Sequence, residues 1–290
     1  MLWESDFLRF LEKLELIAAK TRHTLFMGQL SSHKPGNGLE FKDYRSYQRG
    51  DDFRYIDWNL FSRLEQLFLK EFVEERDFLV YLLIDKSSSM GLGTPSKLEF
   101  AIKLAAALGY IALAGADQVG GAFFSTYPET ELKPIKGKNR FEQLFTFLEQ
   151  AQAGGRTDLN YSLSFLGQKY KKPGLVVILS DLHTEKDYED GLKILKKRGW
   201  EIWIFQILDQ WELKPTADQE VYLIDAETGR TKEVILNQEA IKSYLDNFKA
   251  MQTRTLDLAR HYGFSFLTLS TAQPVEEVLI ETLYKERLIR

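Results

Sequence analysis

The chain has 290 residues, of which 44% are hydrophobic and 28% charged, and its formal net charge is −4. This is the make-up of an ordinary globular protein with room for one large or two small domains, and it argues against a disordered or fibrous chain. The acidic balance gives no electrostatic reason to expect nucleic acid, and the absence of cysteine excludes disulfides and thiolate metal sites.

Apolar side chains at Leu8, Phe10, Leu11, Leu14, Ile17 and Ala18 give the stretch Phe7 to Ala19 a helical period. Ser31 to Gly38 has the composition of a loop. Leu67 to Val73 and Phe78 to Asp85 read as strands separated by the acidic turn Glu74 to Asp77, and the second is the expected central strand. Lys97 to Ala116, rich in Ala and Leu, reads as a largely buried helix; its weakly polar part, Leu104 to Ala116, is far shorter than the ~20 apolar residues that span a bilayer. Strand Val119 to Phe124, helices Phe141 to Gln150 and Leu159 to Tyr170, strand Leu175 to Ser180, helix Tyr188 to Lys197 and strand Trp200 to Leu208 then alternate. Such alternation predicts a parallel sheet covered on both faces. Val221 to Asp225 and Thr231 to Ile235 suggest an inserted hairpin, followed by a long helix Gln238 to His261, a strand Phe264 to Leu269 and a helix from Val275. The residues at 1–6 lack the positive start and apolar core of a secretory signal, so the cytoplasm is the expected compartment.

The run Asp85-Lys86-Ser87-Ser88-Ser89 puts one carboxylate and two hydroxyls at the carboxyl end of the central strand, where open α/β sheets bind ligands. Gly154-Gly155-Arg156-Thr157-Asp158 adds a hydroxyl on a glycine-containing loop, and the strand ending at Ser180-Asp181 adds a second carboxylate. Two carboxylates about 6 Å apart repel by about 3 kcal/mol at an effective dielectric near 20, and a hard cation relieves that. An all-oxygen set of this kind suits Mg²⁺ or another divalent cation such as Mn²⁺ or Ca²⁺.

An Asp-x-Ser-x-Ser run with a distant Thr and a distant Asp resembles the metal-ion-dependent adhesion site of von Willebrand factor A domains, and Asp85, Ser87, Ser89, Thr157 and Asp181 match its five positions. The stretch Glu40 to Trp58, Ile207-Leu208-Asp209 and Asp225 to Gly229 resemble the bacterial "domain of unknown function 58" branch, over roughly Gly38 to Leu279. The resemblance implies a three-layer von Willebrand factor A-like (Rossmann-like) α/β domain over residues 75–290, with a mostly parallel central sheet and a hairpin insertion near 209–236. An N-terminal extension over residues 1–74 would pack on it. It also implies a non-enzymatic, metal-dependent interaction module, an adaptor or co-chaperone for a MoxR-type AAA+ ATPase and for a client that offers an acidic side chain. Asp85 and Asp181 would act mainly through bridging waters. The chain has no Gly-x-x-x-x-Gly-Lys-Ser/Thr loop of its own.

Other candidates have plainer readings. Asp158 is placed to cap the helix after it, Lys86 and Ser88 alternate with the proposed ligands, and the terminal Lys285 to Arg290 reads as a solvated helix end. His183 could be a general base but reads as a solvated loop histidine, and Asp209 and Glu212 lie near the same sheet edge. Lys42, Arg45, Arg49 and Arg54 balance Asp43, Asp51, Asp52 and Asp57, a pattern of ion pairing with no cation surplus for phosphate. An alternative function, Mg²⁺-dependent phosphoryl transfer with Asp85 as nucleophile, lacks the second acid two residues on, where Ser87 stands.

Overall fold

A computed structural model of the chain describes residues 7, 9–13, 40–73, 78–184, 186–215, 219–224 and 231–283. The loop 31–38, the turns 74–77 and 225–230, the tail 285–290 and most of the opening helix lie outside these residues, although 9–13 are helical. The chain divides into two compact units, residues 27–77 and residues 1–26 with 78–290.

In the smaller unit, β1 (Glu40–Ser46), helix α1 (Trp58–Leu64) and β2 (Phe68–Val73) follow one another, and the strands pair antiparallel with a bulge between Phe41 and Asp43. The sequence pattern reveals neither β1 nor α1, because charged residues interrupt both periods. Its balanced charges form local pairs: Arg45 with Asp51 at 2.9 Å, Arg54 with Asp52 at 2.6 Å and Lys70 with Asp57 at 3.0 Å. Asp57 also caps α1 through the Asn59 and Leu60 N–H groups and accepts the Tyr44 hydroxyl at 2.9 Å.

The larger unit is built on a six-stranded sheet in the order β10-β7-β6-β3-β4-β5. Its strands are β3 (Leu79–Asp85), β4 (Gln118–Phe124), β5 (Pro128–Lys136), β6 (Leu175–Ser180), β7 (Glu201–Leu208) and β10 (Ser265–Ser270). All neighbours run parallel except the edge strand β5. β5 is absent from the sequence reading for a physical reason: it carries Pro128 and Pro134, is half exposed and has two irregularities in its pairing, as edge strands tolerate.

β3 is buried along its whole length and serves both faces. Val80, Leu82 and Ile84 pack with α2 (Lys97–Ala114) and α3 (Phe141–Leu148), while Leu79, Tyr81 and Leu83 pack with α4 (Leu159–Lys169) and α5 (Glu189–Lys197). Each such side chain contributes about 1.5–3 kcal/mol on burial. The Ala-rich sequence of α2 is apolar nearly all round, the mark of a buried helix. A Cβ on Gly109 would lie 2.5 Å from Leu144 Cδ2, so glycine is what lets α3 approach α2. A short helix α6 (Gln210–Leu213), the antiparallel hairpin β8 (Gln219–Ile224) and β9 (Thr231–Leu236), and the long α7 (Gln238–Tyr262) lie between β7 and β10.

Counted along the chain, the six sheet strands run third, second, first, fourth, fifth, sixth from β5 to β10. The order reverses between β3 and β6. In doubly wound sheets the crevice outside the carboxyl ends of the strands at that reversal is where ligands bind.

Asp57 supplies a prediction for the smaller unit. Lys70, then the Tyr44 hydroxyl and the Leu60 N–H, depress its pKa to about 2. Its stabilising effect is therefore complete above the unfolded carboxyl value near 3.9 and lost as pH falls toward 2. Fluorescence of Trp58 in a chain whose other tryptophans are replaced by phenylalanine should show a transition between pH 4 and 2. Asp57→Asn should abolish that step, and an identical acid profile in the variant would contradict the assignment.

Candidate metal centre

Asp85 ends β3 and Asp181 directly follows β6, so neighbouring strands deliver two carboxyls to the reversal point. Both are fully buried. Asp85 Oδ1 accepts the Ser87 N–H at 2.8 Å, which folds the serine run back over the strand end. Its Oδ2 accepts the Ser180 hydroxyl at 2.6 Å and the Thr157 hydroxyl at 3.4 Å. Ser87 Oγ lies 3.1 Å from Ser89 Oγ.

Backbone contacts hold the Thr157 loop in place. Gly154 N–H donates to Lys86 O at 2.7 Å, Ser88 N–H to Gly155 O at 3.0 Å and Asp158 N–H to Ser125 O at 2.8 Å. Gly155 has φ +88, and a Cβ there would sit 3.1 Å from Ser125, so glycine is needed both for the turn and for the close approach. The structure thus gathers Asp85, Ser87, Ser89 and Thr157 around one set of oxygens, with Asp181 near enough for its charge to act on Asp85.

Asp181 has different company. Its Oδ2 accepts Lys97 Nζ at 2.8 Å and its Oδ1 the His183 N–H at 3.0 Å. Lys97, fully buried at the start of α2, also donates to Glu212 Oε1 at 2.6 Å. Between Asp181 and His183, Leu182 adopts φ 59 with its N–H on Ser180 Oγ at 2.9 Å. A buried leucine in that left-handed region costs on the order of 1–3 kcal/mol, and the turn presents Asp181 and His183 to the same crevice.

The two carboxyls titrate in opposite directions. Burial, and then the Asp181 charge, push Asp85 up to about 7, against the hydrogen bonds from Ser180 and Ser87. Burial also opposes ionisation of Asp181, but the charges of His183 and Lys97 and their hydrogen bonds outweigh it and hold Asp181 below the usual carboxylate range. Lys97 in turn is raised: the carboxylates of Asp181 and Glu212 overcome the cost of its burial. No ion pair is made to Asp85 among the described residues.

Asp181, His183 and Glu212 offer ligand atoms within 4.8 Å of one another. His183 Nδ1 is 3.6 Å from Asp181 Oδ2 and 3.8 Å from Glu212 Oε1, the same two oxygens that hold Lys97 Nζ. The ammonium already fills that position. The donor set beside Asp85, by contrast, is all oxygen and matches a hard divalent cation.

Asp158 caps α4 through the Tyr161 N–H at 3.0 Å, and Lys86 Nζ turns to Glu129 at 2.6 Å. Asp209 and Glu212 form a capping box on α6, so Glu212 both caps the start of that helix and pairs with Lys97. Lys97 and Ser180 are the members that sequence reasoning passes over. One signal for Lys97 exists: a lysine in the first turn of an 18-residue helix opposes the helix dipole, which calls for a dedicated anionic partner.

These features define an α/β protein with a doubly wound, mostly parallel sheet and a buried cluster of oxygen-bearing side chains at its reversal point. The chain belongs to the family described as protein of unknown function DUF58, which matches residues 43–255. It is 26% identical over 266 residues to an uncharacterized protein of Mycobacterium bovis, covering 90% of this chain and 84% of that protein. Uncharacterized proteins of two Mycobacterium tuberculosis strains match to the same extent. Among solved structures it is similar to the conserved hypothetical protein BatB from Bacteroides thetaiotaomicron, with a TM-score of 0.46 and 14% identity over 72% of this chain and 98% of that one. An aerotolerance-related membrane protein from Bacteroides fragilis gives a TM-score of 0.45 and 15% identity, covering 72% and 99%. No helix among the described residues is long and apolar enough to cross a membrane.

Ser180 tests the hydrogen-bond geometry without touching the proposed ligands. Ser180→Ala removes the shortest bond to Asp85 and the acceptor for Leu182 N–H. Urea unfolding should show a loss of about 1–3 kcal/mol, the cost of leaving buried polar groups unsatisfied; unchanged stability would contradict the geometry.

Proposed function

We propose that this chain is a von Willebrand factor A-like, non-enzymatic interaction module that holds one divalent cation, Mg²⁺ by preference, at the crevice of Asp85, Ser87, Ser89, Thr157 and Asp181. The observation that carries the reading is the charge of the crevice. Three buried or nearly buried carboxylates, Asp85, Asp181 and Glu212, face one ammonium, Lys97. With these four groups ionised and the His183 imidazole neutral, two negative charges remain, which is what one divalent cation neutralises. Asp181 has both oxygens engaged by Lys97 and by the His183 N–H, which favours a water-bridged role for it over direct ligation.

A cation so held supplies a Lewis-acidic position for a carboxylate from outside. The chain's own residues do the rest: the Ser87 turn and the Gly155 loop fix the hydroxyls, and Lys97 keeps Asp181 ionised in place. The partner in this reading is a client with an exposed acidic side chain, delivered to or regulated by a MoxR-type AAA+ ATPase. That partner class rests on the family resemblance. Phosphoryl transfer from Asp85 is disfavoured because both of its oxygens already accept hydrogen bonds within a fully buried side chain.

Calorimetric titration with Mg²⁺ tests the reading. The unmodified chain should bind one ion weakly, while Asp85→Ala and Ser87→Ala should give no measurable heat of binding. Equal binding by both variants would remove the crevice as the site. Capture of an AAA+ ATPase from cytosol in Mg²⁺ but not in chelator tests the partner separately.

A further inference from the structure

We propose that Lys97 is the residue that sets how many cations this sheet edge takes. The inference rests on reading the edge as a cation site and concerns its stoichiometry. Asp181, His183 and Glu212 together present two carboxylate oxygens and one imidazole nitrogen within 4.8 Å, a donor set that could hold a transition metal. In this chain an ammonium sits there instead, 2.8 Å from Asp181 Oδ2 and 2.6 Å from Glu212 Oε1, with its side chain wholly shielded from solvent.

A buried ammonium bonded to both acids excludes a second cation in two ways. It occupies the space between the ligand atoms, and it removes one of the three negative charges that would draw another ion. The divalent ion is thereby confined to the hydroxyl-rich side, beside Asp85, Ser87, Ser89 and Thr157. Glu212 lies in α6, directly after β7, while Lys97 begins α2, so the pair also ties the turn after β7 to the start of α2. Tyr244 supports the arrangement from α7 by donating to Glu212 O at 3.1 Å.

Lysine is suited to this role in a way that arginine is not, because its compact charge fits between two carboxylates. Methionine keeps the length and flexibility of the stem without the charge. Lys97→Met therefore removes the charge while its side chain keeps filling the buried space of the lysine stem.

Mn²⁺ alone is the probe, counted by calorimetry and by the free-ion paramagnetic resonance signal. Lys97→Met should take up one more Mn²⁺ per chain than the unmodified protein, and Lys97→Met combined with Glu212→Gln should lose that extra ion. His183→Ala in the unmodified background should leave the stoichiometry unchanged and the affinity within tenfold, since the ammonium keeps His183 from ligating and its charge acts on the ion only through Asp181. Folded Lys97→Met with no added uptake would overturn the proposal. So would a loss of at least tenfold in affinity for His183→Ala, the scale expected when a contributor to a metal site is removed. Should Lys97→Met not fold, the His183→Ala result decides alone, because that side chain is 37% exposed. The added ion is counted against the unmodified chain, so an unmodified chain that binds nothing would defeat the proposed function while leaving this increment measurable.

Discussion

Asp85 carries an acidic group at the carboxyl edge of the sheet, shielded from solvent and facing a second carboxylate across two adjacent strands. A buried charge of this kind is tolerated only when something compensates it. Asp181 has its compensation in Lys97, whereas Asp85 has the Ser180 and Thr157 hydroxyls and the Ser87 N–H but no cation among the described residues. The serine turn, the Gly155 loop and the strained Leu182 all serve to hold oxygens around a charge that they cannot neutralise. That imbalance, more than any single contact, is what favours the proposed cation at this edge.

The fold produces the imbalance through its topology. The helices after β3 and β6 go to opposite faces of this doubly wound sheet, the arrangement in which the loops at the two strand ends diverge. β3 and β6 are buried on both faces by α2, α3, α4 and α5, which fixes the depth at which their terminal acids emerge. α2 contributes twice: its apolar body anchors one face of the sheet, and its first residue delivers the buried ammonium. Packing and electrostatics are therefore set by the same element, and a change in the seating of α2 would shift Lys97 against Asp181.

Much of this architecture is legible in the sequence because the relevant strands are apolar throughout and end in acids. β3, β6 and β7 follow from such runs and β4 and β10 from shorter apolar stretches; Asp85, Ser87, Ser89 and Asp181 are picked out by their place after β3 and β6, and Thr157 by the glycine-containing loop before a helix. Edge elements are harder to read. β5 mixes prolines and charges at a half-exposed rim, and β1 and α1 sit in a charged stretch where ion pairs replace periodicity. Lys97 is hidden for a different reason: a lysine at a helix start looks like surface, and only the three-dimensional convergence of Asp181 and Glu212, 84 and 115 residues away, explains its burial. Ser180 looks like one more strand residue until its hydroxyl is found 2.6 Å from Asp85.

The central claim is that the uncompensated charge beside Asp85 is met by a single divalent ion. Crystals grown or soaked in Mn²⁺ and measured at its absorption edge give the most direct test. The account predicts one anomalous peak, bordered by the oxygens of Asp85, Ser87, Ser89 and Thr157, with Lys97 still paired to Asp181. An edge without a peak at saturating Mn²⁺, or a peak lying only between Asp181, His183 and Glu212, would contradict it.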